Sequence, residues 1–198
     1  MFMKRLFDIF FSIIGLVILL PFFIIIALII VINSRGPVFY RQVRVGLNGR
    51  DFKLFKFRSM RVDSDKGSLL TIGGRDNRIT SVGYFIRKYK IDELPQLINV
   101  LLGNMSLVGP RPEVRKYVNL YSPEQLKVLS VKPGITDYAS IQYSNENELL
   151  GNASDPEHTY ISEIMPAKLA LNLVYIEQKS VLTDFIIIFN TIGKIISH

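Results

Sequence analysis

The feature that most constrains this chain is a long apolar segment near its N-terminus. Residues 9–32 are interrupted only by Ser12, Gly15 and Pro21. As a continuous helix these residues would extend about 36 Å, which exceeds the roughly 30 Å thickness of the hydrocarbon core of a bilayer. The segment is too long for a signal peptide, and no small-residue cleavage site closes it. The chain is therefore predicted to contain a membrane-associated helix.

Positive charge lies on both sides of this segment, with Lys4 and Arg5 before it and Arg35 and Arg41 after it. Positive residues favour the cytoplasmic side, so a single crossing would place one flank on the unfavourable side. Pro21 lacks a backbone N–H and predicts a break in the helix. A helix–break–helix that enters and leaves the same leaflet satisfies both flanks. An ordinary span with a proline kink is the alternative.

Composition restricts the partners. The formal net charge is +7, which suits nucleic acid, an anionic membrane surface or a phosphorylated substrate. Nucleic acid is disfavoured, since the basic residues are dispersed and match no standard reader motif. The chain has no cysteine and two histidines, which excludes disulfides, thiolate chemistry and a His-rich metal site. No pattern indicates an oligomeric state.

The residues after the apolar segment predict a small α+β domain that is mostly helical. Residues 38–45 and 52–57 alternate like strands around a Gly-Leu-Asn-Gly turn, and residues 61–78 have the composition of a long loop. We therefore divide the chain into a membrane-associated part, residues 1–34, and a catalytic part, residues 35–198. Asp76, within the loop, has no role that the pattern indicates.

The adjacent carboxylates Asp92 and Glu93 are the strongest candidates for chemistry. A one-sided apolar pattern after them predicts a helix that starts at residues 92–94 and ends at Gly103. Its N-terminus and the nearby cations Arg87 and Lys90 favour the ionised carboxylates. An ionised, partly exposed Asp92 would be a competent nucleophile toward phosphorus, with Glu93 as a metal ligand. The alternative is that both acids only cap the helix.

The C-terminal third predicts helices at the membrane interface or in the core. Ser122 and Gln125 form a capping-box pattern, Pro166 opens a helix running to about residue 178, and Ser180 caps a last helix. The apolar run in that last helix is too short to span a bilayer and could lie in the headgroup plane. Residues 145–158 are expected to form a polar loop, and His158 a surface residue. His198 ends the chain, where fraying is expected.

Several motifs at ordered spacing resemble those of the bacterial sugar transferases, the monotopic phosphoglycosyl transferases. They are KIDELPQL at 90–97, SLVGPRPE at 106–113, KPGIT at 132–136, RGPVFYRQ at 35–42, KFRSM at 56–60, and RIT at 78–80 followed by Gly83. The resemblance implies transfer of a sugar-1-phosphate from a UDP-sugar to a polyprenol phosphate such as undecaprenyl phosphate, releasing UMP. It also implies a two-step route through a covalent phosphosugar on an aspartate.

The resemblance assigns roles to particular residues. The nucleophile maps to Asp92, and Glu93 beside it is expected to hold Mg²⁺ together with Asp92. Arg87 and Arg111 are placed to bind phosphate oxygens as charge-assisted donors. The flanking prolines are expected to stiffen the loop that presents Arg111, as support for the nucleotide; these are Pro110 and Pro112. A structural salt bridge is the alternative role for Arg111.

The resemblance further implies a re-entrant membrane helix with its turning point at Pro21. The catalytic part would lie on the cytoplasmic face of the bacterial inner membrane, in contact with anionic lipids. Two departures put loop geometry and sugar preference in doubt: Gly73 to Arg78 replaces a Gly-Asp-Pro-Arg pattern, and Asp137-Tyr138 follows where Gly-Trp is commoner. A membrane-tethered basic scaffold and a polytopic-style one-step transferase are the rival functions. The carboxylate pair disfavours the first, and the single anchor disfavours the second.

Overall fold

The computed structural model of this chain describes residues 2–62, 64, 70 and 76–196. A long N-terminal helix, α1 (Phe2–Asn33), is followed by a hairpin of β1 (Phe39–Val45) and β2 (Asp51–Phe57). The remaining elements are α2 (Ser81–Lys88), α3 (Gln96–Leu102), β3 (Ser106–Val108), α4 (Arg115–Val118), β4 (Gly134–Thr136), α5 (Tyr138–Gln142), α6 (Glu146–Gly151), α7 (Pro156–Thr159), α8 (Met165–Gln178) and α9 (Val181–Ile196). The prediction of a mostly helical α+β fold is confirmed at this level.

The structure assigns α1 as one helix with Pro21 inside it, so no non-helical segment separates two helices. Proline removes one intrahelical hydrogen bond and can bend a helix without ending it, and a bend of the axis at Pro21 stays a prediction. Among the described helices, α1 alone is long and apolar enough to cross a bilayer by length and composition. Re-entry into one leaflet stays a prediction.

One face of α1 is buried, and the rest of the helix exposes large apolar side chains. The buried residues form a stripe of two groups, one near each end of the helix, whose members are three or four positions apart: Asp8 and Ser12, then Phe23, Ile26 and Ile30. The stripe packs on α3, α2 and β3, with Phe23 edge-on to Phe57 of β2. The helix is therefore docked against the remaining domain along its length, and the division at residue 34 stays a prediction.

Polar contacts hold both ends of α1 to this same body. Near the N-terminus, the Asp8 carboxylate accepts hydrogen bonds from the Ser106 hydroxyl and the Leu107 N–H, both 3.0 Å. At the C-terminal end, the buried Arg58 guanidinium donates to the carbonyls of Ser34 and Arg35, at 2.5 and 2.9 Å. These bonds hold the two residues that directly follow the last helical residue, Asn33.

The hairpin predicted from strand alternation is confirmed. β1 and β2 are antiparallel and pair Phe39 with Phe57 through to Val45 with Asp51. The outer edge of β2 is bound by Asn99 of α3, whose side-chain oxygen accepts from Phe55 N (2.9 Å) while its nitrogen donates to the Lys53 carbonyl (2.8 Å). This buried amide fixes α3 against the hairpin.

Strands β3 and β4 form a short parallel pair whose close approach depends on glycine. A Cβ atom on Gly134 would lie 2.1 Å from the backbone nitrogen of Gly109, and one on Gly109 would lie 2.5 Å from the Lys132 carbonyl oxygen. No flexible side chain could yield at these points, because the neighbours are backbone atoms. The two glycines therefore let the loop after β3 lie directly over the start of β4.

Two caps predicted in the C-terminal third are confirmed. Ser122 and Gln125 exchange side-chain bonds to each other's backbone N–H groups, although the helix they open (Gln125–Ser130) is a 3-10 helix. The Ser180 hydroxyl accepts from Thr183 N (3.0 Å) at the start of α9. His158 is exposed, as expected, with its Nδ1 3.4 Å from the Ser162 hydroxyl.

Two other predictions for this third are corrected. Residues 145–158 are not a loop, because they contain α6 and the start of α7, which Asp155 caps by accepting from His158 N (3.0 Å). The helix predicted to open at Pro166 instead continues from α7 through a π-helical turn at Tyr160–Ile164 into α8. Much of the predicted 61–78 loop, including Gly73 and Arg75, and the terminal His198 lie outside the described residues.

Candidate active site

The hairpin, α2, the loop after β3, α5, α6 and α8 surround an open cavity of about 1550 Å³. The predicted polar site residues Asp92, Glu93, Arg87 and Arg111 all line it. Basic side chains outnumber acidic ones in the described lining. A cavity of this size and charge can hold a large anionic ligand.

The two carboxylates lie in a separate 3-10 turn, Ile91–Glu93, and not at the N-terminus of α3, which begins at Gln96. The helix does end where predicted, at Gly103 in the left-handed conformation (φ 84°). Lys90, also left-handed (φ 55°), redirects the chain from α2 into the turn. The predicted start at residues 92–94 is therefore corrected to Gln96, and the alternative in which the two carboxylates only cap this helix does not describe the structure.

Asp92 is buried, with 4% of its surface exposed, so the prediction of a partly exposed side chain is wrong. Burial raises the pKa of Asp92 because it disfavours the charged carboxylate; the positive charge of Lys56 opposes this shift, and Glu93 adds to it. A carboxyl group whose pKa is shifted by burial and by specific charges, and which lines a cavity, is a candidate for a functional role.

Glu93 is surrounded by positive charge. The Arg111 guanidinium donates hydrogen bonds to both carboxylate oxygens of Glu93, with Nη1 3.0 Å from Oε2. The Lys56 ammonium lies 3.0 Å from Oε1 of the same carboxylate. Burial opposes ionisation of Glu93, but the charges of Arg111 and Lys56 together hold its pKa well below the usual range. Glu93 is thus a fixed negative charge beside the titratable Asp92.

Lys56 belongs to this site and was not assigned a role from the sequence. Burial lowers its pKa, against the opposing charge of Glu93. The sequence of β2 contains a pattern that could have identified Lys56. Side chains alternate along a strand, so Phe52, Leu54 and Lys56 share one face, and Lys56 is a charged residue on an otherwise apolar face. Such a residue needs a partner, and Glu93 provides it.

The loop after β3 holds Arg111 in place. The Arg111 N–H donates to Asp137 Oδ2 (3.1 Å), while the carbonyls of Pro110 and Pro112 accept from Gly134 N (3.0 Å) and Arg44 Nη1 (3.0 Å). Both prolines are buried. The structure shows the salt bridge that was the alternative role for Arg111, and its partner Glu93 belongs to the site itself; phosphate binding by Arg111 stays a prediction. The support role of the prolines stays a prediction.

Arg87 lies in the last turn of α2, and its charge acts on both Asp92 and Asp76. Asp76 binds Arg78, with its oxygens 3.0 Å from Nε and 2.6 Å from Nη2, and the hydrogen bonds from Arg78 lower the pKa of Asp76. Asp76 is thereby engaged in a structural ion pair at the edge of the cavity.

The carboxylates fit a Mg²⁺ site of the kind completed by substrate. In the part of the chain that the structure describes, no three His, Cys, Asp or Glu residues are grouped as a metal cage. Mg²⁺ is commonly held by one or two carboxylates with phosphate oxygens and water in the other positions. Asp92 and Glu93 both line the cavity, but both oxygens of Glu93 are already bound by Arg111 and Lys56, so Mg²⁺ at this carboxylate would have to share or displace those contacts, and the metal site stays a prediction.

Comparison with known proteins identifies the family of this sequence. The sequence matches the family described as bacterial sugar transferase over residues 1–198. It is 38% identical, over 99% of its length, to the UDP-N-acetylgalactosamine-undecaprenyl-phosphate N-acetylgalactosaminephosphotransferase of Aeromonas hydrophila. It is also 38% identical, over 96% of its length, to the UDP-glucose:undecaprenyl-phosphate glucose-1-phosphate transferase of Klebsiella pneumoniae.

The chain spans 44% and 39% of the length of these two relatives. It covers 93% of a third, the exopolysaccharide production protein PSS of Rhizobium leguminosarum bv. phaseoli, at 39% identity over 197 residues. The match to the family includes α1, the hairpin, the carboxylate turn and the Arg111 loop. The chain belongs to the bacterial sugar transferase family.

Proposed function

We propose that this protein transfers a sugar-1-phosphate from a UDP-sugar to undecaprenyl phosphate at a bacterial inner membrane and releases UMP. The observation that carries the proposal is the buried Asp92 beside Glu93, which Arg111 and Lys56 hold in ion pairs, within a cavity whose charged side chains are mainly basic. The names of the relatives from Aeromonas and Klebsiella describe reactions of this type.

The chemistry follows from two in-line displacements at one phosphorus. A carboxylate oxygen of Asp92 attacks the phosphorus that carries the sugar, and the bond to the departing UMP oxygen breaks. A phosphate oxygen of the lipid then attacks the same phosphorus, the bond to Asp92 breaks, and the polyprenyl diphosphate sugar leaves. The carboxylate is regenerated without net consumption of a proton, which makes a single residue sufficient as the carrier.

The chain's cations stabilise the charge that develops on the phosphate oxygens. Arg111 and Lys56 are already oriented by Glu93, so little reorganisation is needed when substrate binds. Arg87 approaches Asp92 from the end of α2. Glu93 and Asp92 would hold Mg²⁺, which when bound neutralises phosphate oxygens and favours attack by the carboxylate.

We further propose that α1 enters and leaves the same leaflet and does not cross the bilayer. Two observations support this topology: Asp8 and Arg58 attach opposite ends of α1 to the same domain, and the buried stripe of α1 packs on that domain between them. A helix that crossed the bilayer would draw α3 and the hairpin into the hydrocarbon, where their charged side chains are costly.

The test of the reaction is Asp92→Asn in the full chain, assayed by UMP release with Mg²⁺, UDP-sugar and undecaprenyl phosphate. The amide keeps the shape but cannot form the phosphosugar bond, so we expect a loss of about 10³-fold or more. Asp51→Asn is the matched control, since Asp51 lies at the exposed far end of the hairpin and should leave the rate unchanged.

Near wild-type UMP release by Asp92→Asn would remove Asp92 as the nucleophile. A phosphosugar adduct found by mass spectrometry on the wild-type chain, and missing from the variant, separates the two-step from the one-step route. Binding to anionic vesicles without UMP release from any UDP-sugar would instead favour a basic membrane scaffold.

A further inference from the structure

The cavity has two sides of different charge. Toward α2, the cavity is lined by the basic side chains of Arg61, Arg87, Lys88 and Lys90, of which Arg87 and Lys90 act on Asp92. Toward α6 and α8, two basic side chains of the lining are held in ion pairs. Lys168 forms an ion pair with Glu146, and Arg44 lies 3.0 Å from Glu113. This second surface, which we name the α6–α8 wall, consists of Tyr143, Asn145, Glu146, Asn147, Tyr160 and Lys168.

The wall is pre-organised. Lys168 and Glu146 are mostly buried, with 14% and 24% of their side chains exposed. The Lys168 ammonium lies 5.7 Å from the ring centroid of Tyr160, whose hydroxyl donates to Glu113. These contacts leave few rotamers open to the side chains, so a ligand on the wall meets donors and acceptors already in place.

The wall lies on the Arg111 side of the cavity. Asp137 accepts from the Arg111 N–H (3.1 Å) and from Ser140 N of α5 (2.6 Å), and α5 leads directly into the wall at Tyr143. The basic residues Arg87 and Lys90, by contrast, act on Asp92 from the α2 side. A phosphorus held between Asp92 and Arg111 therefore has the basic side near its nucleophile and the wall near Arg111.

The proposed reaction requires such a division. UMP leaves, and the lipid phosphate arrives, in line with and opposite to Asp92. The sugar remains on the phosphorus through both displacements and projects sideways. The surface that meets it should attract neither phosphate nor UMP. Paired charges, amides and phenols offer donors and acceptors without net positive charge, which suits sugar hydroxyl groups.

We propose that the α6–α8 wall binds the sugar of the nucleotide sugar and selects among sugars, with Glu146 and Lys168 as the discriminating pair. This inference rests on the proposed transferase function and identifies the part of the chain that recognises the transferred sugar. A site built to hydrogen-bond a substrate hydroxyl discriminates strongly against a substrate that places it differently.

The test compares Glu146→Gln and Lys168→Met with wild type in the full chain. UMP release is measured with UDP-glucose, UDP-galactose and their two N-acetylamino counterparts. We expect the ratio of kcat/KM between the best sugar and its C4 epimer to change by about tenfold, while inhibition by UMP stays within about twofold. The matched control is the exposed surface ion pair of Lys116 and Glu157, with Glu157→Gln expected to change neither quantity.

Two outcomes would overturn the inference. Equal losses on all four sugars with weaker UMP inhibition would assign the wall to the nucleotide, and unchanged ratios would show that it does not read the substrate. If loss of the ion pair lowers the thermal midpoint, Asn147→Ala serves as the second variant, since this exposed residue lines the cavity without supporting the core.

A binding measurement separates this inference from the proposed function. Saturation-transfer NMR of each UDP-sugar is compared for Asp92→Asn and for the same variant carrying Glu146→Gln. In the double variant, we expect the saturation of the sugar protons to fall relative to that of the uracil protons. Wild-type chain that releases UMP from no sugar refutes the transferase function, whereas an unchanged sugar-to-uracil ratio refutes the role of the wall.

Discussion

Asp92 and Glu93 are neighbours in the chain, yet their surroundings drive their protonation in opposite directions. Burial raises the pKa of Asp92, while Arg111 and Lys56 hold that of Glu93 well below its usual range. Two carboxylates whose environments separate their pKa values can take different roles at one pH. We assign Asp92 to the covalent chemistry and Glu93 to holding the side chains of Arg111 and Lys56 in position.

Lys56→Met tests this electrostatic arrangement. The positive charge of Lys56 lowers the pKa of Asp92, so its removal raises that pKa further. The nucleophile must be ionised, and activity therefore falls as pH drops through the pKa of Asp92. We expect the acidic limb of the kcat/KM profile to move to higher pH, with a loss of about 100-fold near neutrality from the missing phosphate contact.

Lys53→Met is the control for this prediction. Lys53 lies three residues earlier on β2, is exposed, and uses only its backbone carbonyl to bind Asn99. Lys53→Met should therefore keep the wild-type pH profile of kcat/KM. An acidic limb that stays in place in Lys56→Met, or moves to lower pH, would contradict the assignment of Asp92 as the group titrated in that limb.

At the scale of elements, α1 is bonded to the strand that leads to Arg111. Asp8 accepts from Ser106 and Leu107 of β3, and the Lys4 ammonium donates to the Val108 carbonyl at 3.1 Å. β2 is similarly joined to the other end of α1 through Arg58, two residues after Lys56. β2 and the strand that leads to Arg111 are therefore both bound directly to α1, which fixes the position of the site relative to this apolar helix.

Asp8→Ala is expected to destabilise the protein. It leaves the buried Ser106 hydroxyl and the Leu107 N–H without their acceptor, at a cost of roughly 1–3 kcal/mol for each unsatisfied group. The measurement is the thermal midpoint of the full chain in detergent. Asp8→Asn keeps an acceptor oxygen and should recover much of the loss.

Ser12→Ala provides the matched control on the same face of α1. The Ser12 hydroxyl is buried and has no hydrogen-bond partner among the described residues, so its removal should be neutral or stabilising. Equal destabilisation by Asp8→Ala and Ser12→Ala would mean that packing, and not the bonds to β3, holds α1 in place.

At the scale of the whole molecule, the chain is one docked body with an exposed apolar helix on its surface. The exposed side chains of α1 and the outer face of α9, including Ile186 and Phe189, give it a surface suited to lipid. The cavity opens in the domain that α1 and α9 flank. A soluble nucleotide sugar and a lipid phosphate can meet there if both ends of α1 lie on one side of the bilayer.

Cysteine labelling tests this topology, because the native chain contains no cysteine. Met3→Cys and Arg35→Cys introduce single thiols at exposed positions beside the two ends of α1. In sealed, inside-out vesicles, a membrane-impermeant maleimide should label both. Gly36 is unsuitable, since a Cβ atom there would lie 1.9 Å from Arg58 Nη1. Labelling of one thiol alone would show that α1 crosses the bilayer.

Local patterns predicted several elements correctly, and long-range contacts explain the failures. The strand alternation and turn of the hairpin, the stop at Gly103 and the cap at Ser180 depend on residues close in the chain. The buried state of Asp92 and the start of α3 depend on packing against β2, which is distant in the chain. Residues 145–158 formed helices because their apolar positions, such as Leu150, are buried against α8.

The sequence by itself determined the membrane helix, the mixed fold and the identity of the carboxylates and arginines at the site, because apolar length, strand alternation and ordered motifs are properties of the linear chain. Only the tertiary structure decided which charges meet. Lys56 reaches Glu93 across 37 positions, Arg111 does so across 18, and Glu146 pairs with Lys168 beside them. Ionisation depends on burial and on neighbouring charge through space, and these arise only when the elements pack.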